Sequence, residues 1–370
     1  RRQSKDKTYT FIYIEQTNLL ISQKMKYWKI TRLTVALVAL IMMALTAVAE
    51  TPQIKFQRLD TRDGLSNSQV NCILKDSKGF VWLGTKYGLS RYDGYRFRVF
   101  HSSTKDTVSL LNDHVDNVYE DIDGYLWVQQ ETKYCVYDPK KERFIHDLSP
   151  WCKKVGMTNN VEKVFIDRDK NYWMKPWEGD LYYYNPRTGT KARFDVINNA
   201  FGVKGKQTVT SIASYGRSTL VMTNCGVLMS LIGEEKRVSW VSKHIKKVQP
   251  HEAVSRRIYV DRKGNYWVTS EGRCYVYDHR YKRWFDSLTD YLRCLGIGGM
   301  SSDVIIGDVQ EDNLGRMWVA TDHSGLFIID YAKRELYNYN HDKANESSVS
   351  DHNLLRLYRS LDNQMWIGTY

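Results

Sequence analysis

The sequence lacks the cysteine and histidine patterns that bind metals or support redox chemistry. Its six cysteines, at positions 72, 135, 152, 225, 274 and 294, contain no C-x-x-C pair, and its nine histidines contain no H-E-x-x-H motif. Most of the cysteines fall within apolar runs, which predicts buried thiols that pack as small hydrophobic residues. We therefore expect no metal site, no cofactor and no set of catalytic residues.

Long apolar runs and long basic runs are also scarce. The longest apolar run, Leu33–Leu45, has thirteen residues, which is short for a membrane span. Half of the formal net charge of +12 lies in residues 1–49, and the later basic residues are interspersed with acidic ones, apart from the run Lys243–Lys247. This scatter is typical of a solvated surface, so we expect no contact with nucleic acid.

The start of the chain has the features of an export signal. From the first methionine, Met25, it combines a basic start, the apolar run Leu33–Leu45 and the small residues Ala47-Val48-Ala49 before Glu50. These features predict a secretory signal peptide over residues 25–49, with a membrane anchor as the alternative. Residues 1–24 are then an upstream, non-structural segment, and residues 50–370 an exported domain.

The stretch DSKGFVWLGTKYGLSRYD at residues 76–93 recurs along the rest of the chain. A typical copy has an aspartate six residues, and a glycine three residues, before a tryptophan, as in Asp76, Gly79 and Trp82. Successive copies lie 45 to 51 residues apart, and the fourth has leucine in place of tryptophan. The seven centres are Trp82, Trp127, Trp173, Leu220, Trp267, Trp318 and Trp366.

Each copy predicts four short antiparallel strands, with the glycine and aspartate in a tight hairpin turn. A repeated four-stranded unit of this length predicts an all-β fold, a β-propeller with seven repeat copies of which the last is incomplete. A β-helix is the alternative, but its coils are shorter and need no hairpin glycines. The six tryptophans should be buried between blades, and Ile54–Leu59 should add an outer strand to the blade of Trp366 and so cover its open edge.

The first copy resembles the two-component regulator propeller repeats, through DGLSNSQV at Asp63–Val70 and the motif residues of Asp76–Asp93. The resemblance spans residues 54–370 and implies the periplasmic sensor region of a hybrid two-component system of gut Bacteroidetes, whose parent protein lies in the inner membrane. It further implies an oligosaccharide ligand and control of polysaccharide-utilisation genes by phosphorelay. The implied partners are a further propeller, membrane-spanning kinase domains of the parent protein and a second copy in a homodimer. Because no kinase motif is present, the chain itself is predicted not to be an enzyme.

Ligand-binding residues are expected in the loops between the second and third strands, which differ from copy to copy. Aromatic side chains there could stack on sugar rings, and polar ones could bind hydroxyl or acidic groups. Trp177 is the strongest candidate because it stands outside the repeated tryptophan position. The alternatives for the chain are a secreted propeller lyase or hydrolase acting on polysaccharide, and a protein-interaction scaffold. The candidate residues are Lys86, Tyr87, Lys133, Trp177, Glu178, Arg273, Asp322 and His323.

Overall fold

The structure is a computed structural model of the chain. It describes residues 54–158, 160–194, 208–242, 245 and 256–370, together with residues 28, 31, 32 and 34, which are helical. The chain divides into two compact units, residues 1–54 and residues 55–370. The predicted upstream segment and most of the predicted signal peptide lie outside the described residues. Among the helices that the structure describes, none is long and apolar enough to cross a membrane.

The second unit consists of antiparallel sheets in which consecutive strands pair with each other. The first three sheets are blade 1 with β1 (Val70–Lys75), β2 (Val81–Thr85), β3 (Gly88–Tyr92) and β4 (Phe97–Phe100), blade 2 with β5 (Asn117–Glu120), β6 (Leu126–Gln130), β7 (Lys133–Asp138) and β8 (Arg143–Ile145), and blade 3 with β9 (Val161–Ile166), β10 (Tyr172–Pro176), β11 (Leu181–Tyr184) and β12 (Lys191–Phe194).

The remaining sheets continue the same order. They are blade 4 with β13 (Val209–Tyr215), β14 (Ser218–Thr223), β15 (Leu228–Ile232) and β16 (Arg237–Ser242), blade 5 with β17 (Arg256–Val260), β18 (Tyr266–Ser270), β19 (Arg273–Asp278) and β20 (Arg283–Phe285), blade 6 with β21 (Ile305–Glu311), β22 (Met317–Asp322), β23 (Leu326–Asp330) and β24 (Glu335–Tyr339), and blade 7 with β25 (Leu354–Arg359) and β26 (Met365–Thr369).

The seven sheets form a closed ring in which the first strand of each blade lies nearest the axis. Each innermost strand packs against those of its neighbours, and β25 packs against both β21 and β1. The junction between blades 7 and 1 is hydrogen-bonded, because the Tyr358 hydroxyl accepts from the Lys75 amide at 3.1 Å. Between blades 5 and 6 the Tyr259 hydroxyl accepts from the Glu311 amide at 3.2 Å in the same way. The chain therefore closes on itself as a β-propeller.

The predicted propeller is confirmed in its architecture, but not in its number of complete blades. Six blades have four strands within the described residues, and the seventh has only β25 and β26. The predicted outer strand is wrong, since Ile54–Leu59 forms no strand. Instead the Phe56 ring meets Trp318 and Tyr339 of blade 6 edge-on, at 6.5 and 5.9 Å between ring centroids, and its amide donates to Ser347 O. Packing of one aromatic ring, rather than a sheet edge, decides where this segment lies.

Two short helices depart from the all-β prediction. Helix α1 (Ser149–Val155) follows blade 2 and helix α2 (Leu288–Cys294) follows blade 5; a 3-10 turn also covers Thr61–Asp63. Each helix places an aromatic residue on the tryptophan of the preceding blade: Trp151 lies 5.4 Å from Trp127, and Tyr291 lies 5.7 Å from Trp267. These connections are helical because their apolar residues have a core surface to cover.

In blades 1, 2, 3, 5 and 6 an aspartate side chain accepts a hydrogen bond from the central tryptophan. In blade 1 one carboxylate oxygen of Asp76 accepts the amides of Lys78 and Phe80, both at 2.9 Å, which closes the hairpin turn around Gly79 (φ 91°). The other oxygen accepts Trp82 Nε1 at 2.8 Å. The same indole bond recurs at 2.9 to 3.2 Å in blades 2, 3, 5 and 6. The aspartates predicted as turn residues thus also anchor the core.

The predicted burial of the tryptophans is confirmed for five of the six. Those of blades 1, 2, 3, 5 and 6 are at most 5% exposed, and Leu220 in the blade 4 position is fully buried. Trp366 of blade 7 is only half-buried. All six cysteines are free thiols, of which four are buried as expected, while Cys225 is half-buried and Cys294 is exposed.

Candidate functional site

One side of the ring carries both the loops between second and third strands and the connections between blades; we call it the loop face. These two sets of segments are hydrogen-bonded to each other. The Trp177 amide, just after β10, donates to Asn160 O just before β9, and the Asn224 amide donates in the same way to Thr208 O, both at 3.0 Å. Bonds also join neighbouring blades, as from the Ile306 amide to Gly272 O at 2.8 Å. Within the described residues, backbone hydrogen bonds thus join the segments of the loop face to one another.

A central cavity of about 1320 Å³ runs along the axis inside the ring. Its wall is formed by the innermost strands, and Glu131, Trp177 and Asn224 of the second-to-third-strand loops lie at its mouth. Alternate residues of a strand share one face, so each innermost strand contributes residues to the wall in layers. The layer next to the loop face is polar, and the layer below it is mainly aromatic.

In blades 2 to 7 the polar layer occupies the position ten residues before the central tryptophan or leucine, whereas blade 1 has the buried Cys72 there. Lys163, Arg257 and Arg356 supply three cations from blades 3, 5 and 7, and we call them the cation ring. The other members that line the cavity are Asn117, Thr210 and Asp308. In several blades the neighbouring residue forms a β-bulge, as at Asn71, Gly307 and Leu355. Bulges re-aim side chains at barrel rims and binding sites.

The three cations differ in how they are held. Arg356 donates through Nε to Asn71 O at 2.6 Å and through Nη1 to Leu355 O at 2.7 Å. Arg257 lies 3.9 Å from the Asp308 carboxylate, at the outer limit of an ion pair. Burial, reinforced by the charge of Arg257, lowers the pKa of Arg356 to about 10. Burial also lowers the pKa of Lys163. In both cases the effect of burial on the pKa outweighs the opposing effect of nearby carboxylates, which are Asp116 for both cations, Glu162 for Lys163 and Asp308 for Arg356.

The carboxylates near the mouth have other partners. Asp116 accepts the Glu131 amide at 2.6 Å and lies 3.4 Å from the His114 imidazole. Glu162 forms a buried ion pair with Lys175 at 3.3 Å. Asp308 accepts the amides of Val309 and Leu357 at 3.0 and 3.1 Å. Apart from Glu131, which is exposed at the mouth, these acidic groups are tied to the protein itself.

The layer below the cation ring consists mainly of aromatic residues. Tyr119, Phe165, Tyr259 and Tyr358 line the cavity two residues further along their strands, and we call them the aromatic layer. Tyr259 and Tyr358 are fixed by the hydroxyl bonds that join blades, and the Tyr119 and Phe165 rings meet edge-on at 6.2 Å. Burial raises the pKa of Tyr259 to about 12. The aromatic layer is thus a neutral, rigid surface beneath three cations.

Of the eight residues predicted to bind a ligand, only Trp177 lines the central cavity. It is half-buried at the mouth, whereas its neighbour Glu178 is exposed. Tyr87 is 58% exposed and lies 5.1 Å from the His101 ring. The remaining five lie at the ends of second or third strands or in the loops between them: Lys86, Lys133, Arg273, Asp322 and His323.

These five form no cluster around Trp177. Lys86, Lys133 and Arg273 are exposed, and the His323 ring lies 2.7 Å from the Asp322 carboxylate. Because none of them lines the cavity, their role in binding stays a prediction. The cation ring lies on innermost strands, outside the loops in which ligand-binding residues were expected. No local sequence pattern marks it, because the residue that precedes each of its members varies from copy to copy as much as the member itself.

The fold and the repeated motif define the class of protein, a β-propeller. Residues 64–87 match the family model described as two component regulator propeller. The resemblance predicted from the first copy is therefore confirmed. A further match is to a protein named histidine kinase P4 of Formosa agariphila, 32% identical over 68 residues, which are 18% of this chain and 5% of that protein.

Two solved structures extend the likeness to most of the chain. They are the extracellular domains of the putative hybrid two component systems BT3049 and BT4673 from B. thetaiotaomicron. The TM-scores are 0.62 and 0.61, at 21% and 20% identity over 86% of this chain. At that identity the likeness concerns the fold. The chain spans 41% and 39% of those two chains, so it is similar to less than half of each.

Proposed function

We propose that this chain is the ligand-sensing propeller of a hybrid two-component system, exported to the periplasm, and that it binds an oligosaccharide at the loop face. In this proposal the chain itself performs no catalysis. Binding is passed to a further propeller and to membrane-spanning kinase domains of the parent protein, where a phosphorelay controls polysaccharide-utilisation genes.

The observation that carries the proposal is the position of Trp177. This tryptophan is outside the repeated core position, is half-buried at the mouth of the central cavity and has its backbone fixed by the bond to Asn160 O. A rigid aromatic ring beside polar groups suits the apolar face and the hydroxyls of a sugar. The likeness to extracellular domains of putative hybrid two component systems supports the same assignment.

Isothermal titration calorimetry of the purified chain against a panel of neutral and acidic oligosaccharides tests this proposal. We expect one class of oligosaccharide to bind, and Trp177→Ala to weaken its affinity about tenfold or more, since aromatic residues dominate binding energies. The matched control is Tyr95→Ala, which removes a 95% exposed ring from a turn between third and fourth strands, on the side away from the loop face.

Three results would contradict the proposal. The first is the absence of binding to every oligosaccharide in the panel, and the second is equal weakening by Tyr95→Ala and Trp177→Ala. The third is depolymerisation of a panel member by the purified chain, which would favour a polysaccharide-degrading enzyme. Unchanged affinity in a folded Trp177→Ala variant would remove this residue from the site.

A further inference from the structure

We infer that the central cavity binds an anionic oligosaccharide, whose carboxylate or sulfate groups lie on the cation ring of Lys163, Arg257 and Arg356 while a sugar ring rests against the aromatic layer. The inference builds on the proposed function and adds to it the charge of the ligand and the place where that charge is bound.

The first step of the argument is the distribution of charge within one layer. Three of the cavity-lining residues at this level are cationic, and Asp308 is the one carboxylate among them. Asp308 accepts two backbone amides and lies 3.9 Å from Arg257, so it compensates at most one of the three cations. Glu162 nearby is paired with Lys175, and Asp116 is a second carboxylate close to the cations. Three cations therefore face two carboxylates, and an excess of one positive charge remains beside the cavity.

The second step concerns the partners that Lys163 and Arg356 have within the protein. Lys163 has no ion pair with any residue in the described part of the chain, and it lies half-buried in the wall. Arg356 uses Nε and Nη1 for two backbone carbonyls, which neutralise no charge and fix the guanidinium plane. A buried cation without a counter-ion is costly, and an anion that enters the cavity would remove that cost. Guanidinium groups bind carboxylate and sulfate oxygens in pairs, which favours an acidic group.

The third step concerns whether the anionic ligand is a sugar or a simple inorganic anion. A cavity of about 1320 Å³ is far larger than a phosphate or sulfate ion needs. The aromatic layer directly below the cations offers ring faces and edges that an inorganic ion cannot use, but that the C–H groups of a sugar can. Trp177 at the mouth adds a further aromatic surface at the entrance. Cations and aromatic rings within one cavity together fit an acidic sugar.

Binding of three probes to the full 370-residue chain tests the inference: tetragalacturonate, a sulfated galactose tetrasaccharide and neutral galactotetraose. We expect an acidic probe to bind at least tenfold more tightly than the neutral one, and its affinity to fall as salt rises. Lys163→Gln and Arg257→Gln should each weaken it about ten- to hundredfold, because each removes a charge-assisted hydrogen bond. The two acidic probes distinguish a carboxylate ligand from a sulfated one.

The matched control is Lys78→Gln, which makes the same charge change at an exposed residue of the turn between β1 and β2 that does not line the cavity. It should leave the affinity within twofold. Arg356 also donates to two backbone carbonyls, so the unfolding temperature of Arg356→Gln must be measured beside its affinity. Lys163→Gln is the decisive variant.

Two outcomes would overturn the inference. One is tighter binding of the neutral probe than of both acidic probes, which would leave the oligosaccharide sensor intact and remove the anionic ligand. The other is equal weakening by Lys78→Gln and Lys163→Gln, which would mean that the loss of affinity reflects only the net charge of the protein. Binding of no oligosaccharide would instead contradict the proposed function itself.

Discussion

Blades 2 and 7 carry the same central tryptophan and hold it differently. In blade 2 Trp127 is fully buried, and its Nε1 donates to Asp121 at 3.2 Å. In blade 7 the position of the aspartate is taken by Ser360, and Trp366 is only half-buried. Among the described residues Trp366 Nε1 has no hydrogen-bond partner, although the atom itself is buried. Trp366 thus lacks the aspartate, and within the described residues it also lacks the third and fourth strands that blade 2 has.

Blade 4 extends the comparison because it lacks both the central tryptophan and the aspartate. Leu220 replaces the tryptophan and is fully buried, while Ser214 replaces the aspartate and accepts the Arg168 amide at 3.2 Å. A buried carboxylate is costly unless donors surround it. Burial raises the pKa of Asp121 even though it accepts bonds from Trp127 and from the Tyr172 hydroxyl at 2.9 Å. The aspartate is therefore favourable only where the indole is present to donate to it.

The largest expected effect comes from removing the tryptophan where it is best held. Trp127→Ala should lower the free energy of unfolding by about 3–5 kcal/mol, because it leaves a large cavity and removes one hydrogen-bond donor from the buried Asp121. Trp366→Ala should cost clearly less, since that side chain is half-exposed and its indole N–H is unpaired. Urea unfolding of both variants measures the difference. Equal losses would mean that the hydrogen bond and the depth of burial make no difference to stability.

An intermediate effect is expected from restoring the tryptophan to blade 4. Leu220→Trp should destabilise the chain by about 1–3 kcal/mol, because the site is fully buried and is shaped for a smaller side chain. Adding Ser214→Asp should recover part of this loss by giving the indole an acceptor. Thermal unfolding of the single and double variants tests the pairing. No recovery in the double variant would show that the partners act independently.

The smallest expected effect is a gain in stability from a substitution in blade 7. Ser360→Asp should raise the free energy of unfolding by about 1 kcal/mol, because the buried Trp366 Nε1 acquires a charged acceptor. Ser214→Asp is the control, since Leu220 offers no donor and no gain should follow. Both are measured as midpoints of urea unfolding at neutral pH. A gain in blade 4 as large as that in blade 7 would contradict the explanation.

Much of the fold could be predicted because the repeat is local. The period of 45 to 51 residues, the turn aspartates and glycines and the tryptophan positions are visible along the chain, and each reflects contacts within one hairpin. The predictions that were wrong concern segments outside the hairpins. The packing of Phe56 on Trp318 and Tyr339, and that of helix α1 on Trp127, depend on surfaces that exist only once a whole blade has formed.

The same division applies to the candidate site. The sequence alone determined that Trp177 lies outside the repeated core and within a loop, because its position in the repeat is unique to its copy. Only the tertiary structure brought that loop to the mouth of a cavity and placed Lys163, Arg257 and Arg356 in one layer of its wall. These three residues belong to three blades, and no local pattern relates them. Closure of the ring decides their proximity, because it turns the same position of every innermost strand toward one axis.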